Sequence, residues 1–372
     1  MQNPILTIDT GDSARGREPS AGDASLDALL SLLSEHDWQA AALVRHLPEL
    51  LRQAPTLDAA RRLPWLIGLQ RGWQRDRDAL DPDARRALLE LACRWANWPL
   101  AIAVGESLVP VHRLDESASR FLRDAYLAMG HIEAAIDLAV SMQLAYPARR
   151  EHAEAYRQLV AWREWRHRNT LPVGEVAHED DPLRLEPLGH QHIDDFGWQY
   201  YDPEIAKRCC LPRFEHAGAW HDWLDQSYAH GDQQLFAVMH RQWGCIGCVG
   251  LIQHRDVGLF YYWIGRDFQG YGFGPGAAAQ LLAAAHRHAG MRCCYAKVYD
   301  YNQPSRSALL KIGFADTGLR AAAPHDDQLF YRIGEPDSDA RVALEVHTLM
   351  ARLDSELRIA MPLTKLGGSM HA

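Results

Sequence analysis

LFYYWIGRDFQGYGFGPG, residues 259–276, changes character twice within one short run. Leu259 to Ile264 is apolar and aromatic throughout, the composition of a buried strand. Gly265 to Asp267 turns the chain into Gln269-Gly-Tyr-Gly-Phe-Gly274, and an alanine-rich segment, PGAAAQLLAAAHRHA, follows as a helix from about Pro275 to Ala289. Strand, glycine-rich turn and helix in that order leave unpaired backbone N–H groups at a helix N-terminus, where no side chain keeps a phosphate away. Which phosphorylated ligand the turn suits decides the fold.

The rest of the chain sets the limits. At 372 residues it is long enough for two ordinary domains, and 47% hydrophobic with 23% charged residues is the balance of a globular protein. A net charge of -9 without a basic block argues against nucleic acid or an anionic membrane as the main partner. No run approaches the roughly 20 apolar residues of a membrane span. The start, MQNPILTIDTGDSARGREPS, lacks the cationic and apolar regions of a secretory signal. Seven cysteines, an odd number with two adjacent pairs (Cys209-Cys210 and Cys293-Cys294), suit reduced thiols and a cytoplasmic location.

Residues 1–22, rich in Gly, Ser, Asp and Arg, read as a disordered tail. From 23 to 165 the period is helical, as in ARRALLELACRWA and SRFLRDAYLAMG, with breaks at Asp81-Pro82, Asn97 to Pro99, Pro110, Gly130 and Pro147. Leu122, Tyr126, Gly130, Ala135 and Pro147 fall at spacings resembling the tetratricopeptide repeat, and Leu88 and Ala101 echo Leu122 and Ala135 thirty-four residues upstream. Arg123 stands at the usual small position, and Ala92 stands where a second Tyr126 would be. An irregular bundle and a degenerate repeat array are both compatible with this pattern.

Residues 166–181, RHRNTLPVGEVAHEDD, read as a linker. Beyond it come a strand at Leu183 to Leu188, helices around Asp202 to Cys210 and Glu215 to Ala229, and strands at Gln234 to Arg241 and Cys245 to Gln253. The opening strand and helix follow, then a strand at Cys293 to Tyr299, a helix at Asn302 to Ile312 and two closing strands. Hairpins combined with one βαβ crossover imply a mixed sheet with helices on both faces, an α+β domain over 182–334. Residues 335–372 read as an amphipathic helix, Ser338 to Ile359, and a frayed tail; a homodimer contact and docking on the helical domain are both open to that helix.

Three nucleotide turns can be tested against the opening stretch. The P-loop needs Gly-Lys-Ser/Thr where this chain has Gly274-Pro275-Gly276. The Rossmann turn belongs to the first βα unit of a parallel domain, whereas this one follows hairpin strands. The third pattern, Gln/Arg-x-x-Gly-x-Gly/Ala, is filled by Gln269, Gly272 and Gly274, and downstream NQPSRSALLKIGF opens at Asn302 and closes at Phe314. These two motifs resemble the GCN5-related N-acetyltransferase (GNAT) superfamily, in the style of the branch acting on ribosomal-protein N-termini. The resemblance covers about Leu183 to Ile333. It implies the GNAT acyl-CoA N-acyltransferase fold, a mixed twisted sheet flanked by helices; the separate repeat-like spacing upstream makes the preceding region an all-α TPR-like helical domain.

The resemblance also implies roles. Backbone N–H groups of Gln269, Gly270, Tyr271, Gly272, Phe273 and Gly274 would take the pyrophosphate of acetyl-CoA or another acyl-CoA, and Asn302 would bond its pantetheine arm. Ile264 would offer an N–H to the thioester oxyanion. Ser305 is the candidate acid, because Leu309 stands where many relatives carry a tyrosine. Tyr261 occupies the position where several relatives carry a basic glutamate, and a tyrosine of ordinary pKa near 10 is a poor base. His254 and Asp256 are further candidates acting through water, and Trp220, Trp223, Tyr200 and Tyr201 a candidate acceptor wall. No ligand set for a metal is spaced around Cys245 and Cys248.

The expected activity is transfer of an acetyl or longer acyl group from acyl-CoA to a primary amine. The acceptor is read as a peptide or protein recruited by the helical domain. Alternatives are acyl transfer from CoA or a carrier protein in a biosynthetic pathway for peptide natural products, and a non-catalytic acyl-CoA sensor or scaffold.

Overall fold

The computed structural model describes residues 25–109, 114–175, 181–209, 214–229, 231, 233–336, 338–352 and 357–360. The tail read at 1–22 and the residues after 360 lie outside these. The described residues divide into two compact units. One holds those up to Arg168 together with Gly189–Tyr201 and His240–Cys245, and the other holds Asn169–Leu188, Asp202–Met239 and those from Ile246 onward.

The first unit begins with eight α-helices: α1 (Leu26–Glu35), α2 (Ala40–Gln53), α3 (Arg62–Asp76), α4 (Pro82–Arg94), α5 (Trp98–Leu108), α6 (Glu116–Ala128), α7 (Ile132–Ala145) and α8 (Arg150–Asn169). The helix α8 runs four residues into the stretch read as linker. The pair α6–α7 repeats the pair α4–α5 with an offset of 34 residues at both helix starts. The signals that begin and end the helices repeat with it. Asp81 and Asp115 are N-caps accepting from the Ala84 and Ala118 amides. Each first helix then ends in a left-handed residue, Ala96 at φ 50° and Gly130 at φ 72°. The amides of Asn97 and His131 fold back to the carbonyls of Ala92 and Tyr126. Leu88, Leu122, Ala101 and Ala135, the echo seen in the sequence, are all at most 1% exposed.

Two further segments belong to the same compact unit as these helices. One is α9 (Ile193–Gln199), which the sequence reading missed; the other is the turn at His240–Cys245. Their anchor is Asp195, 1% exposed. Its carboxylate accepts from Trp98 Nε1 at 2.8 Å and the Cys245 amide at 3.2 Å, and faces Arg62 Nη2 at 3.5 Å. Arg62 also donates to the carbonyls of Trp95 and Ala96. Burial pushes the Asp195 carboxyl up to about 7, against the pull of Arg62 and the two hydrogen bonds.

The second unit carries the sheet. Its strands are β1 (Leu183–Pro187), β2 (Gln233–His240), β3 (Gly244–His254), β4 (Val257–Ile264), β5 (Cys293–Tyr299), β6 (Ala315–Ala321), β7 (Gln328–Gly334) and β8 (Ile359–Ala360), in the order β1-β2-β3-β4-β5-β7-β6-β8. The helices α10 (Pro203–Cys209) and α11 (Ala217–Ala229) lie between β1 and β2, α12 (Phe273–Ala289) links β4 to β5, α13 (Gln303–Ile312) follows β5, and α14 (Asp339–Ala351) follows β7. Only β4 and β5 are parallel neighbours among the pairings described, as a helical crossover requires. No helix among the described residues is long and apolar enough to cross a membrane.

The C-terminal helix is shorter than its pattern suggested. α14 stops at Ala351, and Ile359 and Ala360 pair as a strand with Ala321 and Arg320. Its apolar residues Val342, Val346, Leu349 and Met350 pack on Leu259, Tyr295 and Phe330 of the sheet, with Leu357 in the same core. Each such buried aliphatic contributes about 1.5–3 kcal/mol. Those four residues are covered by the sheet within their own unit. Tyr295 Oη donates to Glu345, and Arg292 bridges Glu345 and Asp256.

Asp195→Ala leaves Arg62 buried without its carboxylate and should cost about 3–5 kcal/mol in denaturant unfolding, with Asp195→Asn costing less. The folded-state pKa of Asp195 is raised, so the native state holds its proton more tightly than the unfolded chain. Stability should therefore fall as pH climbs from about 4 to 7, and Asp195→Asn should flatten that dependence in thermal melts.

Candidate active site

The strand β4 is paired on one edge along its whole length and on the other along only half. Against β3 the register runs from His254↔Val257 to Gly247↔Ile264. Against β5 it runs from Val257↔Cys293 to Phe260↔Ala296 and stops there. Beyond that point β5 stays with β7, from Lys297↔Phe330 to Tyr299↔Gln328. Each strand is thus held by its outer neighbour, and a gap opens between Tyr261–Ile264 and Lys297–Tyr299.

Strand alternation says which groups line the gap. The Gly265 amide donates to Ile246 O at 2.8 Å, so Gly265 and the odd-numbered residues before it point their backbone groups at β3. The amides and carbonyls of Tyr262 and Ile264 therefore face the gap. Gln269 Nε2 donates to the Ile264 carbonyl at 2.9 Å, leaving the Ile264 N–H directed at the opening. Cys209 Sγ lies 3.8 Å from the Tyr262 carbonyl.

The glycine turn follows immediately. Gly270 and Gly272 have φ of 87° and 84°, a left-handed conformation that glycine alone adopts freely, and a Cβ on either would meet nothing within 4 Å. The backbone conformation, not crowding, requires glycine there. The Gln269 amide lies 3.4 Å from Arg266 O. The Gly276 amide returns to Gly272 O, so the N–H groups of Phe273 and Gly274 precede the first helical hydrogen bond of α12. They stand, with Tyr271 and Gly272, at the positive end of a 17-residue helix.

Turn and gap share one cleft of about 1450 Å³. Ile264, Gln269, Gly270, Gly272, Phe273, Gly274, Asn302 and Ser305 line it, as does Tyr261; Tyr271 does not line it, and is 72% exposed and stacked on Phe273. Asn302 is the N-cap of α13, its Oδ1 accepting from the Ser305 amide at 3.4 Å. Ser305 and Tyr262 both line the cleft, and burial pushes the Tyr262 phenol up to about 12 against the opposing pull of Ser305. The Tyr262 ring packs on Gly274, where a Cβ would sit 2.5 Å from it, and stacks on Phe260.

Tyr262 is the site residue that sequence reading missed. The available signal was alternation: in Phe260-Tyr-Tyr-Trp263 only one tyrosine can share the face of Gly274 and Phe314, and it is Tyr262. Tyr261 points to the opposite face, against the α14 core, where its hydroxyl accepts from Gln233 Nε2. Burial raises its pKa strongly, which keeps it protonated. His254 and Asp256 stand at the far end of β4 and outside the cleft lining; Asp256 is held below its usual range by Arg292. Of the aromatic wall, Trp223 lines the cleft, Trp220 is 2% exposed core, and Tyr200 and Tyr201 belong to the other unit. The described acids of the lining are Asp202 and Glu204, ion-paired to Arg266 and Arg208.

Comparison with known proteins addresses this part of the chain. Several solved structures resemble it. A spermidine N-acetyltransferase from Vibrio cholerae, in complex with CoA and spermine, is 17% identical over 41% of this chain and 95% of that chain, with a TM-score of 0.38. A ribosomal-protein-S5-alanine acetyltransferase from Vibrio fischeri is 15% identical over 43% and 97%, with a TM-score of 0.38. RimJ of Mycobacterium smegmatis, in complex with CoA-disulfide, is 19% identical over 48% and 91%, with a TM-score of 0.37. No curated protein sequence matches. The family model described as acetyltransferase (GNAT) domain matches residues 182–315, from β1 to the first residue of β6, and the splayed mixed sheet that these residues build is the fold of that family.

Proposed function

We propose that the protein transfers an acetyl or longer acyl group from acyl-CoA to a primary amine of a peptide or protein. The observation that carries this reading is the half-paired β4: an open strand edge that leads into left-handed glycines at a helix N-terminus. The fit to an acyl-CoA follows from the chain's own groups. The turn exposes N–H donors with no Cβ in the way, which suits a pyrophosphate. The Tyr262 amide and carbonyl offer a pantetheine arm the hydrogen bonds of a neighbouring strand, with Asn302 at the opposite wall.

The chemistry supplied by the bound cosubstrate is an activated thioester. The Ile264 N–H, fixed by the β3 ladder, is placed to stabilise an oxyanion at the end of the gap. The hydroxyls of Ser305, on α13, and Tyr262, on β4, both line the cleft and are the groups that would give a proton to the departing thiolate. Asp202 and Glu204 are placed to take the ammonium proton of the acceptor through water. The 34-residue recurrence of α4–α5 and α6–α7 supports a TPR-like array that recruits the acceptor. A non-catalytic acyl-CoA sensor is the second reading, favoured by one observation: the β4 position of the usual base is a half-buried Tyr261 whose phenol stays protonated.

Thiol release from acetyl-CoA with a panel of peptide amines separates the two; tight CoA binding without turnover on any amine would support the sensor. Ser305→Ala should lower kcat by about 10²-fold with the CoA Kd unchanged, and Tyr262→Phe should act in the same direction. Gly272→Glu should abolish CoA binding in calorimetry by placing a charge at the phosphate donors. Gly272→Ala should weaken it less, at a cost of about 1–2 kcal/mol for the left-handed backbone.

A further inference from the structure

Tyr261 stands where the two central strands part. It follows Phe260, the last residue of β4 paired to β5, and it lines the cleft. Gly274 of α12 lies against Tyr262, and Phe314 after α13 lies against Phe260, so the face of the even-numbered β4 residues is occupied. An acceptor that reaches the gap without displacing them comes from the other face, past Tyr261. Gln233, the first residue of β2, lines the cleft with it and touches its hydroxyl.

A hollow in β3 seats the ring. Gly250 is the direct partner of Tyr261 in the β3–β4 register, and a Cβ there would lie 2.3 Å from Tyr261 Cζ and 2.7 Å from its hydroxyl oxygen. Any side chain at position 250 would therefore lift the ring from the sheet. The phenol end is fixed by Gln233, whose Nε2 donates to Tyr261 Oη. The direction of that bond matters, because a phenol has one proton to give and lone pairs to receive. Gln233 occupies a lone pair and leaves the proton for a second partner. Among the described residues Gln233 is the one hydrogen-bond partner of this hydroxyl. Burial raises the phenol strongly, so the proton stays on the oxygen. Tyr261 thus offers the cleft a hydrogen-bond donor whose ring and hydroxyl are both held in place.

We propose that Tyr261, seated over Gly250 and oriented by Gln233, donates a hydrogen bond to an oxygen of the acceptor, so that the substrate is an amine with a carbonyl or hydroxyl oxygen beside it. The residue binds and positions the acceptor; it takes no proton from it. A phenol proton suits an oxygen lone pair and opposes an ammonium, which has only protons to give. A plain alkyl amine leaves this donor unmet. This inference rests on the acyl-CoA reading of the cleft and adds to it the part of the acceptor that is recognised.

The test uses the full chain with acetyl-CoA and, as acceptors, glycinamide, a tripeptide amide with a free N-terminus, and diaminopropane, which carries no oxygen. Each probe is compared with itself across variants, so its own basicity cancels. Tyr261→Phe should raise the KM of the two oxygen-bearing probes about tenfold, with kcat and the KM for acetyl-CoA unchanged, and should leave diaminopropane unaffected. Gln233→Glu keeps the phenol but draws its proton to a carboxylate, so it should match Tyr261→Phe; Gln233→Leu should do less. Gly250→Ala, which displaces the ring, should act in the same direction. An equal change for diaminopropane, use of diaminopropane alone by the wild type, or unchanged KM values in Tyr261→Phe would overturn the inference. A lower melting temperature with no change in KM would leave the ring as core packing and overturn it as well. So would Gln233→Glu behaving as the wild type, because the phenol proton would then not be the recognising group. Failure of CoA to bind the wild type would sink the underlying reading instead. If CoA binds and no probe turns over, calorimetric binding of the tripeptide amide to the CoA-loaded protein decides: weaker binding in Tyr261→Phe sustains the inference, and equal binding, or none to the wild type, rejects it.

Discussion

A β-strand with one edge paired and the other open is a costly arrangement, because unmet backbone groups beside an apolar core lose their hydrogen bonds with water. β4 tolerates it because β3 holds it from Val257 to Ile264 while β7 holds β5 through Tyr299. Beyond Phe260 each strand keeps its outer partner while the pairing between the two ends. The divergence after Phe260↔Ala296 is thus a property of the whole register, and the cleft inherits its position from it. Gln269, bonding back to Ile264 O, satisfies one of the exposed groups and fixes where the glycine turn begins.

The same constraint distributes the chemistry. Even-numbered residues of β4 turn their backbone to the gap and their side chains to α12 and α13. Odd-numbered residues pair with β3 and turn their side chains to α14. The backbone groups open to the gap and the Tyr262 ring therefore come from one set of positions, whereas Tyr261 packs on the other face. The two faces of β4 are thus separated by the period of two that every strand imposes.

Much of this was legible from residue pattern. The apolar run at Leu259 to Ile264, the glycines at φ near 85° and the Asn302 cap all follow from local propensity, and local propensity is what a sequence displays. What could not be read was non-local. α9 is seven residues long and is anchored by Asp195 reaching Arg62, 133 positions away. The end of α14 is set by Ile359 and Ala360 joining β6, an override of helical periodicity by strand pairing. The choice of Tyr262 over Tyr261 depended on which face of β4 meets α12, and adjacent tyrosines do not announce that. The helical echo lay between the two cases: Leu88 and Leu122 were visible, but the matching caps Asp81 and Asp115 carried the clearer signal.

Residue-resolved amide hydrogen exchange, with and without CoA, tests the central claim most directly. If CoA lies along the open edge of β4, the amides of Tyr262, Ile264 and Gly270 to Gly274 should slow on binding, while Tyr261 and Trp263, already paired to β3, should change little. Protection confined to other elements, or equal slowing of odd and even positions in β4, would contradict the account.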